Sequence, residues 1–326
     1  MIPPSLNNIF SADTASFNDR CLETFRFQYA SNAVYRQWCN AIGRNESHVN
    51  AVEQIPFLPI SFFKTHEVKS TQFEPAIIFE SSGTTGITSS RHYVKDAGLY
   101  KKSFLEAFQQ FYGSASDYCI LALLPSYLER GGSSLVYMAD ELIRQSNHPL
   151  SGFYLSEHAQ LAETLHTLEQ AGQKTILLGV TYALLDFAEA FPINLKHTTI
   201  IETGGMKGRK KEMTRNEVHA ILKQQFALNT IHSEYSMTEL MSQAYSKGEG
   251  RFVCPPWMKV LLRSEDDPLE VYDKGRGVIN IIDLANLYSC AFIATDDAGQ
   301  LYDDAAFEVL GRIDNSDIRG CSLLVL

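Results

Sequence analysis

Residues 76–92 read Ala-Ile-Ile-Phe-Glu-Ser-Ser-Gly-Thr-Thr-Gly-Ile-Thr-Ser-Ser-Arg-His. The apolar run Ala76–Phe79 is expected to form a buried strand, and every residue from Ser81 to Gly86 carries a hydroxyl or is glycine. Such a loop offers backbone N–H groups and hydroxyl donors with little side-chain bulk, as close wrapping of a phosphate requires. It is not the Walker loop, because no Gly-Lys-Ser/Thr follows, and the Gly-x-Gly-x-x-Gly spacing of the dinucleotide fingerprint is missing. The same residue types also build ordinary surface turns, so the loop alone leaves both readings open. Arg91 and His92 would either bind phosphate or sit on a strand edge.

More clusters of this kind follow apolar runs. They are Glu202-Thr203-Gly204-Gly205-Met206-Lys207-Gly208, Ser233-Glu234-Tyr235-Ser236-Met237-Thr238-Glu239 and Thr295-Asp296-Asp297-Ala298-Gly299, with Gly311-Arg312 further on. Each has a plain structural alternative. Ser236-Met237-Thr238-Glu239 fits a helix capping box, Asp296-Asp297 a turn, Gly204-Gly205 a loop, and Arg312 a surface ion pair.

The elements that must position these clusters alternate. Amphipathic spacing predicts a long helix over residues 16–42, with Ser16 as its N-cap and Phe17, Cys21, Phe25, Tyr29 and Ala33 on one stripe. Residues 54–63 are apolar but broken by Pro56 and Pro59, so they line the core or the wall of a pocket rather than form a helix. Short apolar strands are then expected at 118–124, 152–155, 175–178, 198–201 and 230–231. Helices at 96–112, 133–145, 158–170, after 178 and at 214–226 separate them. This alternation means parallel strands with helical crossovers. The fold class is α/β, a helix-covered, mostly parallel sheet over residues 1–250, followed over 251–326 by a smaller β-rich subdomain ending in a short tail. In open α/β sheets ligands sit beyond the carboxyl ends of the strands, where the polar clusters fall.

Composition limits the classes of function. Among 326 residues, 45% are hydrophobic and 20% charged, as in a globular protein, and the net charge of −10 speaks against nucleic acid and anionic membranes as main partners. No apolar run approaches the length of a membrane helix, and the N-terminus has no signal-peptide pattern. Six scattered cysteines, Cys21, Cys39, Cys119, Cys254, Cys290 and Cys321, make no disulfide framework or zinc motif, so a cytoplasmic setting is expected.

Taken in order, Ser-Ser-Gly-Thr-Thr-Gly, Gly-Gly, Tyr-x-x-Thr-Glu, Thr-x-Asp-x-Gly and Gly-Arg-x-Asp resemble the motifs of the adenylate-forming superfamily of acyl-CoA synthetases and luciferases. Their size and form are most similar to the LuxE family of acyl-protein synthetases. The resemblance implies an ATP- and Mg²⁺-dependent acid–thiol ligase that activates a carboxylic, fatty acid as the acyl-adenylate. Ser82, Gly83, Thr84, Thr85 and Gly86 would hold phosphates, and Gly204 and Gly205 would let backbone approach adenine and acyl group. Tyr235 would stack on adenine, Thr238 would bond the α-phosphate, Glu239 would ligate Mg²⁺, and Asp297 would accept from the ribose with Arg312 beside it. The chain ends 15 residues after Gly311, so the mobile C-terminal domain typical of the superfamily, with its catalytic lysine, is expected to be absent. Lys207 is one candidate to replace that lysine. Cys321 would take the acyl group, its bland alternative being a small apolar residue in a last strand. Partners would be the acid and an acyl-accepting protein, carrier or reductase. A phenylacetate-CoA-ligase-like enzyme, an acyltransferase of polysaccharide or lipid assembly, and a non-catalytic scaffold are the alternatives.

Overall fold

The computed structural model describes residues 2–10, 14–81, 89–124, 132–204 and 213–313. The chain opens with α1 (Leu6–Ile9), α2 (Thr14–Ser31), α3 (Ala33–Ala41), β1 (Leu58–Pro59) and α4 (Phe62–Thr65). Next come β2 (Ile77–Glu80), β3 (Arg91–Val94), α5 (Ala97–Tyr112), β4 (Cys119–Leu123), α6 (Ser134–Ser146), β5 (Gly152–Phe153) and α7 (His158–Gln170). Then follow β6 (Thr175–Val180), α8 (Thr181–Ala190), β7 (Thr198–Thr203), α9 (Arg215–Phe226) and β8 (His232–Tyr235). The last elements are strands: β9 (Ala244–Ser246), β10 (Phe252–Val253), β11 (Met258–Arg263), β12 (Val271–Tyr272), β13 (Gly275–Asp283), β14 (Phe292–Leu301) and β15 (Phe307–Arg312).

One large sheet runs in the order β12-β11-β13-β14-β15-β10-β9-β8-β7-β6-β4-β5, with β1 added beside β14. Strands β5, β4, β6, β7 and β8 pair in parallel, and the sheet turns antiparallel at β8–β9. Every residue of β4 and β6 is buried, because helical crossovers cover both faces of a parallel sheet. The mixed α/β architecture expected from the alternation is present. Local sequence sets the helix starts. Asp96 accepts from the Gly98 N–H, Ser133 from the Val136 N–H, and Thr214 with Glu217 forms a capping box.

Several expectations are corrected. The single helix over 16–42 is two helices, and Ser16 lies inside α2 rather than capping it. Asn32 breaks the helix. Its backbone is extended, and its fully buried amide accepts from the Tyr35 N–H at 3.0 Å and donates to the Ser289 carbonyl at 3.0 Å. A short polar side chain that satisfies local backbone groups competes with helix continuation. The strand expected at 230–231 lies at His232–Tyr235, so Ser233, Glu234 and Tyr235 belong to a strand and not to the loop after it. Likewise Thr295–Gly299 sits within β14. In the segment Ile77–Glu80 only Phe79 is buried, the two isoleucines are half-buried and Glu80 is exposed, and it pairs only with β3, off the large sheet. Among the described residues no helix is long and apolar enough to cross a membrane.

Candidate active site

Strands β7 and β8 run in register, Thr203 beside Glu234, so the residues that follow them emerge together. Gly204 has φ of +75°, a backbone conformation that costs glycine little, and its carbonyl accepts from the Thr181 hydroxyl at 3.1 Å. Tyr235 ends β8. It is nearly buried, and its hydroxyl donates to Asp297 Oδ2 at 2.8 Å. Asp297 is the register partner of Arg312 in the β14–β15 ladder, and Arg312 Nε lies 3.8 Å from Asp297 Oδ1. Burial raises the Asp297 carboxyl above its ordinary range, opposed by the Tyr235 hydrogen bond and by Arg312. Burial, with the neighbouring Asp297 carboxylate, holds the Tyr235 phenol well above its ordinary value, so it is a donor at neutral pH.

Beyond Tyr235 no helix begins. Residues 236–239 form an irregular turn, which removes the capping-box alternative for Glu239. Buried neighbours fix this turn. Nδ1 of His92 lies 2.9 Å from the Thr238 carbonyl, and its Nε2 lies 3.0 Å from Asn286 Oδ1. The Asn286 amide donates to the Glu239 carbonyl at 2.7 Å. His92 is 1% exposed, and burial lowers its pKa to about 4, leaving the ring neutral at pH 7 with a single N–H to share between the Thr238 carbonyl and Asn286 Oδ1. His92 therefore buttresses the turn and faces no phosphate, whereas Arg91 beside it is exposed.

The Glu239 carboxylate is 5% exposed, and burial raises its pKa against a hydrogen bond from the Ser90 hydroxyl and the cations Arg312 and Lys64. Ser90 also closes the base of the hydroxyl–glycine loop. Its N–H donates to Ser81 Oγ at 2.8 Å, and the Ser81 N–H donates to its carbonyl at 3.0 Å. The loop thus leaves and re-enters next to Glu239.

Ser82, Gly83, Thr84, Thr85 and Gly86 lie outside the described residues, as do Gly205, Lys207 and Cys321. Of the candidates within them, Tyr235, Asp297 and Arg312 form one chain of contacts, and Thr238 and Glu239 adjoin it through the end of β8. Gly204 follows the neighbouring β7. Sequence reasoning missed Ser90, Asn286 and Lys64. The first two carry no motif, and Lys64 is an isolated lysine after a proline-broken segment. A lone buried carboxylate suits a hard cation such as Mg²⁺, which takes one or two protein carboxylates plus substrate phosphates. Among the described residues no three His, Cys, Asp or Glu side chains gather to hold a metal by themselves.

The sequence model of the acyl-protein synthetase family LuxE matches residues 9–119. A long-chain-fatty-acid–luciferin-component ligase of Aliivibrio fischeri is 22% identical over 329 residues, covering 92% of this chain and 85% of that protein. Its counterpart in Vibrio harveyi is 24% identical over 325 residues, covering 92% and 84%. Residues 9–119 are thus similar to LuxE, and most of the chain aligns with the two ligases. Its solved structural relatives include a 2-hydroxyisobutyryl-CoA ligase, with a TM-score of 0.69 at 13% identity, covering 97% of this chain and 80% of that one. ATP-bound MatB from Rhodopseudomonas palustris aligns with a TM-score of 0.56 at 14% identity, covering 74% and 49%. The chain therefore has the fold of adenylate-forming ligases.

Proposed function

We propose that this chain is an acid–thiol ligase that uses ATP to activate a carboxylic acid of the fatty-acid class and then passes the acyl group to a thiol, in a cytoplasmic setting. The observation that carries the reading is the meeting of three sequence-distant groups at one place. The Ser81–Ser90 clamp, Glu239 and the Tyr235–Asp297–Arg312 contacts all converge around the end of β8.

In the first step a carboxylate oxygen of the acid attacks the α-phosphorus of ATP. The bond to the bridging oxygen breaks, and pyrophosphate leaves. The residues position and neutralise rather than react. The hydroxyl–glycine loop of Ser82, Gly83, Thr84, Thr85 and Gly86 binds the phosphates, and Thr238 bonds the α-phosphate. Gly204 and Gly205 give backbone access to the adenine and the acyl group. Tyr235 supplies a ring face for adenine. Asp297 keeps lone pairs free for ribose hydroxyls, because each carboxylate oxygen can accept more than one hydrogen bond. Glu239 would hold Mg²⁺, which when bound spreads the charge of the phosphates. Lys207 is a candidate for the lysine role.

In the second step a thiolate attacks the acyl carbon and AMP leaves. The described cysteines suit this poorly. Burial pushes Cys21, Cys39 and Cys254 up to about 12 and raises Cys119 and Cys290 as well, so all are protonated thiols at neutral pH. That leaves Cys321 as the internal acceptor, before delivery to an acyl-accepting protein, carrier or reductase. The test is intact-protein mass spectrometry after incubation with ATP and acid. An acyl-sized, hydroxylamine-sensitive shift that disappears in Cys321→Ala is expected. A shift that persists in the variant would assign the acceptor elsewhere.

A further inference from the structure

A second group of polar side chains lies on the other face of β8. Successive strand residues point to opposite faces, so Glu234 faces α5 while Tyr235 faces Asp297. Glu234 is 5% exposed. Its Oε2 accepts from the Thr203 hydroxyl, and Ser236 adds a hydrogen bond to the carboxylate, yet Oε1 has no partner. Tyr245 stands directly opposite Glu234 in the β8–β9 ladder. It is 2% exposed, and its hydroxyl is also unpartnered. Gln243, two residues earlier on the same side, is 1% exposed. Its Nε2 reaches the Tyr100 hydroxyl at 3.5 Å, but its Oε1 is unpartnered.

Buried polar atoms in folded proteins almost always find partners. Here three of the five unpartnered side-chain atoms among the described residues fall on the paired strands β8 and β9 and the residue just before β9. Two are acceptors, Glu234 Oε1 and Gln243 Oε1, and the third, the Tyr245 hydroxyl, both donates and accepts. A methylene chain laid there would leave all three unpaired. An amino group could donate to both acceptors, and a hydroxyl could donate to one of them while accepting from the Tyr245 hydroxyl. The location fits the acid, since Glu234 is hydrogen-bonded by Ser236 of the turn that carries Thr238, the residue proposed above to bond the α-phosphate.

We propose that the activated acid carries a hydrogen-bond donor, a hydroxyl or amino group, bound between Glu234, Gln243 and Tyr245. The proposal rests on the acid-activating reading above and narrows its substrate from unsubstituted fatty acids to donor-bearing ones. A site built around buried hydrogen-bonding groups rejects the analogue that lacks the group, often by several orders of magnitude.

The test is ATP–pyrophosphate exchange with matched sets of acids, each unsubstituted chain compared with counterparts carrying a hydroxyl or amino group at successive positions. At least one donor-bearing acid is expected to exceed its unsubstituted counterpart by roughly 100-fold or more in kcat/KM. Glu234→Leu should cut that ratio to about 10-fold or less. The isosteric Glu234→Gln, which guards against a folding defect in the leucine variant, should keep a hydroxyl preference and lose an amino preference. Exchange with unsubstituted acids as good as with every donor-bearing counterpart would overturn the proposal alone, leaving only water to satisfy the three atoms. A preference unchanged in both variants would do the same. No exchange with any acid would overturn the acid-activating reading and the proposal together.

Discussion

The hydroxyl of Tyr235 donates to Asp297 Oδ2 at 2.8 Å, linking the last residue of a parallel strand to the middle of an antiparallel one 62 positions later in the sequence. This bond joins the two halves of the sheet at the candidate nucleotide site. In Tyr235→Phe the ring remains for stacking, but the largely buried Asp297 loses its donor. A loss of about 1–3 kcal/mol in unfolding free energy is expected from urea titration. The KM for ATP in pyrophosphate exchange should rise several-fold, with a smaller change in the KM for acid. An unchanged ATP KM would detach Asp297 from nucleotide binding.

His92 and Asn286 hold the turn that carries Thr238 and Glu239. His92→Leu keeps an apolar side chain in the buried site but leaves the Thr238 carbonyl unpartnered. Loss of stability of about 1–3 kcal/mol is expected, together with at least a several-fold fall in exchange kcat. Equal exchange rates in a stably folded variant would show that the turn keeps its place without the imidazole.

Gly299 sits at a register shift in the β14–β15 ladder, two residues after Asp297. A Cβ there would lie 2.7 Å from the Ile279 side chain and 3.0 Å from the Glu308 carbonyl. Gly299→Ala is expected to cost about 1–3 kcal/mol by overpacking, measured by thermal or urea unfolding, and to raise the ATP KM by moving Asp297. A variant as stable as the wild type would mean that the strands absorb the methyl group without strain.

Asp283 is fully buried and accepts from the Met241 N–H and the Ser242 hydroxyl, at 2.7 and 2.6 Å. Burial nonetheless raises its pKa from 3.8 to about 6. The folded state therefore prefers the protonated acid. Its contribution is full below the ordinary carboxylate range and fades as pH rises from about 4 to about 6. The stability of the wild type relative to Asp283→Asn should fall by about 2 kcal/mol between pH 4 and pH 7. Urea unfolding of both proteins across that range measures it, and a flat difference would place the folded pKa at its ordinary value.

Much of the fold could be read from local pattern. The buried strands β4 and β6 and the helices that start at Asp96, Ser133 and Thr214 lie where local pattern put them to within a residue or two, because their causes act over a few residues. The break at Asn32 was hidden, because the bonds that favour it reach Ser289, far along the chain. The placement of Asp297 in a strand was hidden too, since Asp-Asp reads as a turn until Arg312 pairs with it across a ladder. At the site, the order of motifs singled out Tyr235, Thr238, Glu239, Asp297 and Arg312 as candidates. The supports Ser90, His92 and Asn286 emerged only when three separate segments met around Glu239. The unpartnered atoms of Glu234, Gln243 and Tyr245 are likewise a property of packing, with no signature in the order of residues.

Acid activation at the site that ends β8 is tested by ATP–pyrophosphate exchange with a panel of carboxylic acids, run on the wild type and on Glu239→Gln. Acid-dependent exchange that requires Mg²⁺ in the wild type, and falls at least about 100-fold in the folded variant, is the expected result. Exchange absent with every acid, or unchanged in Glu239→Gln, would contradict the account.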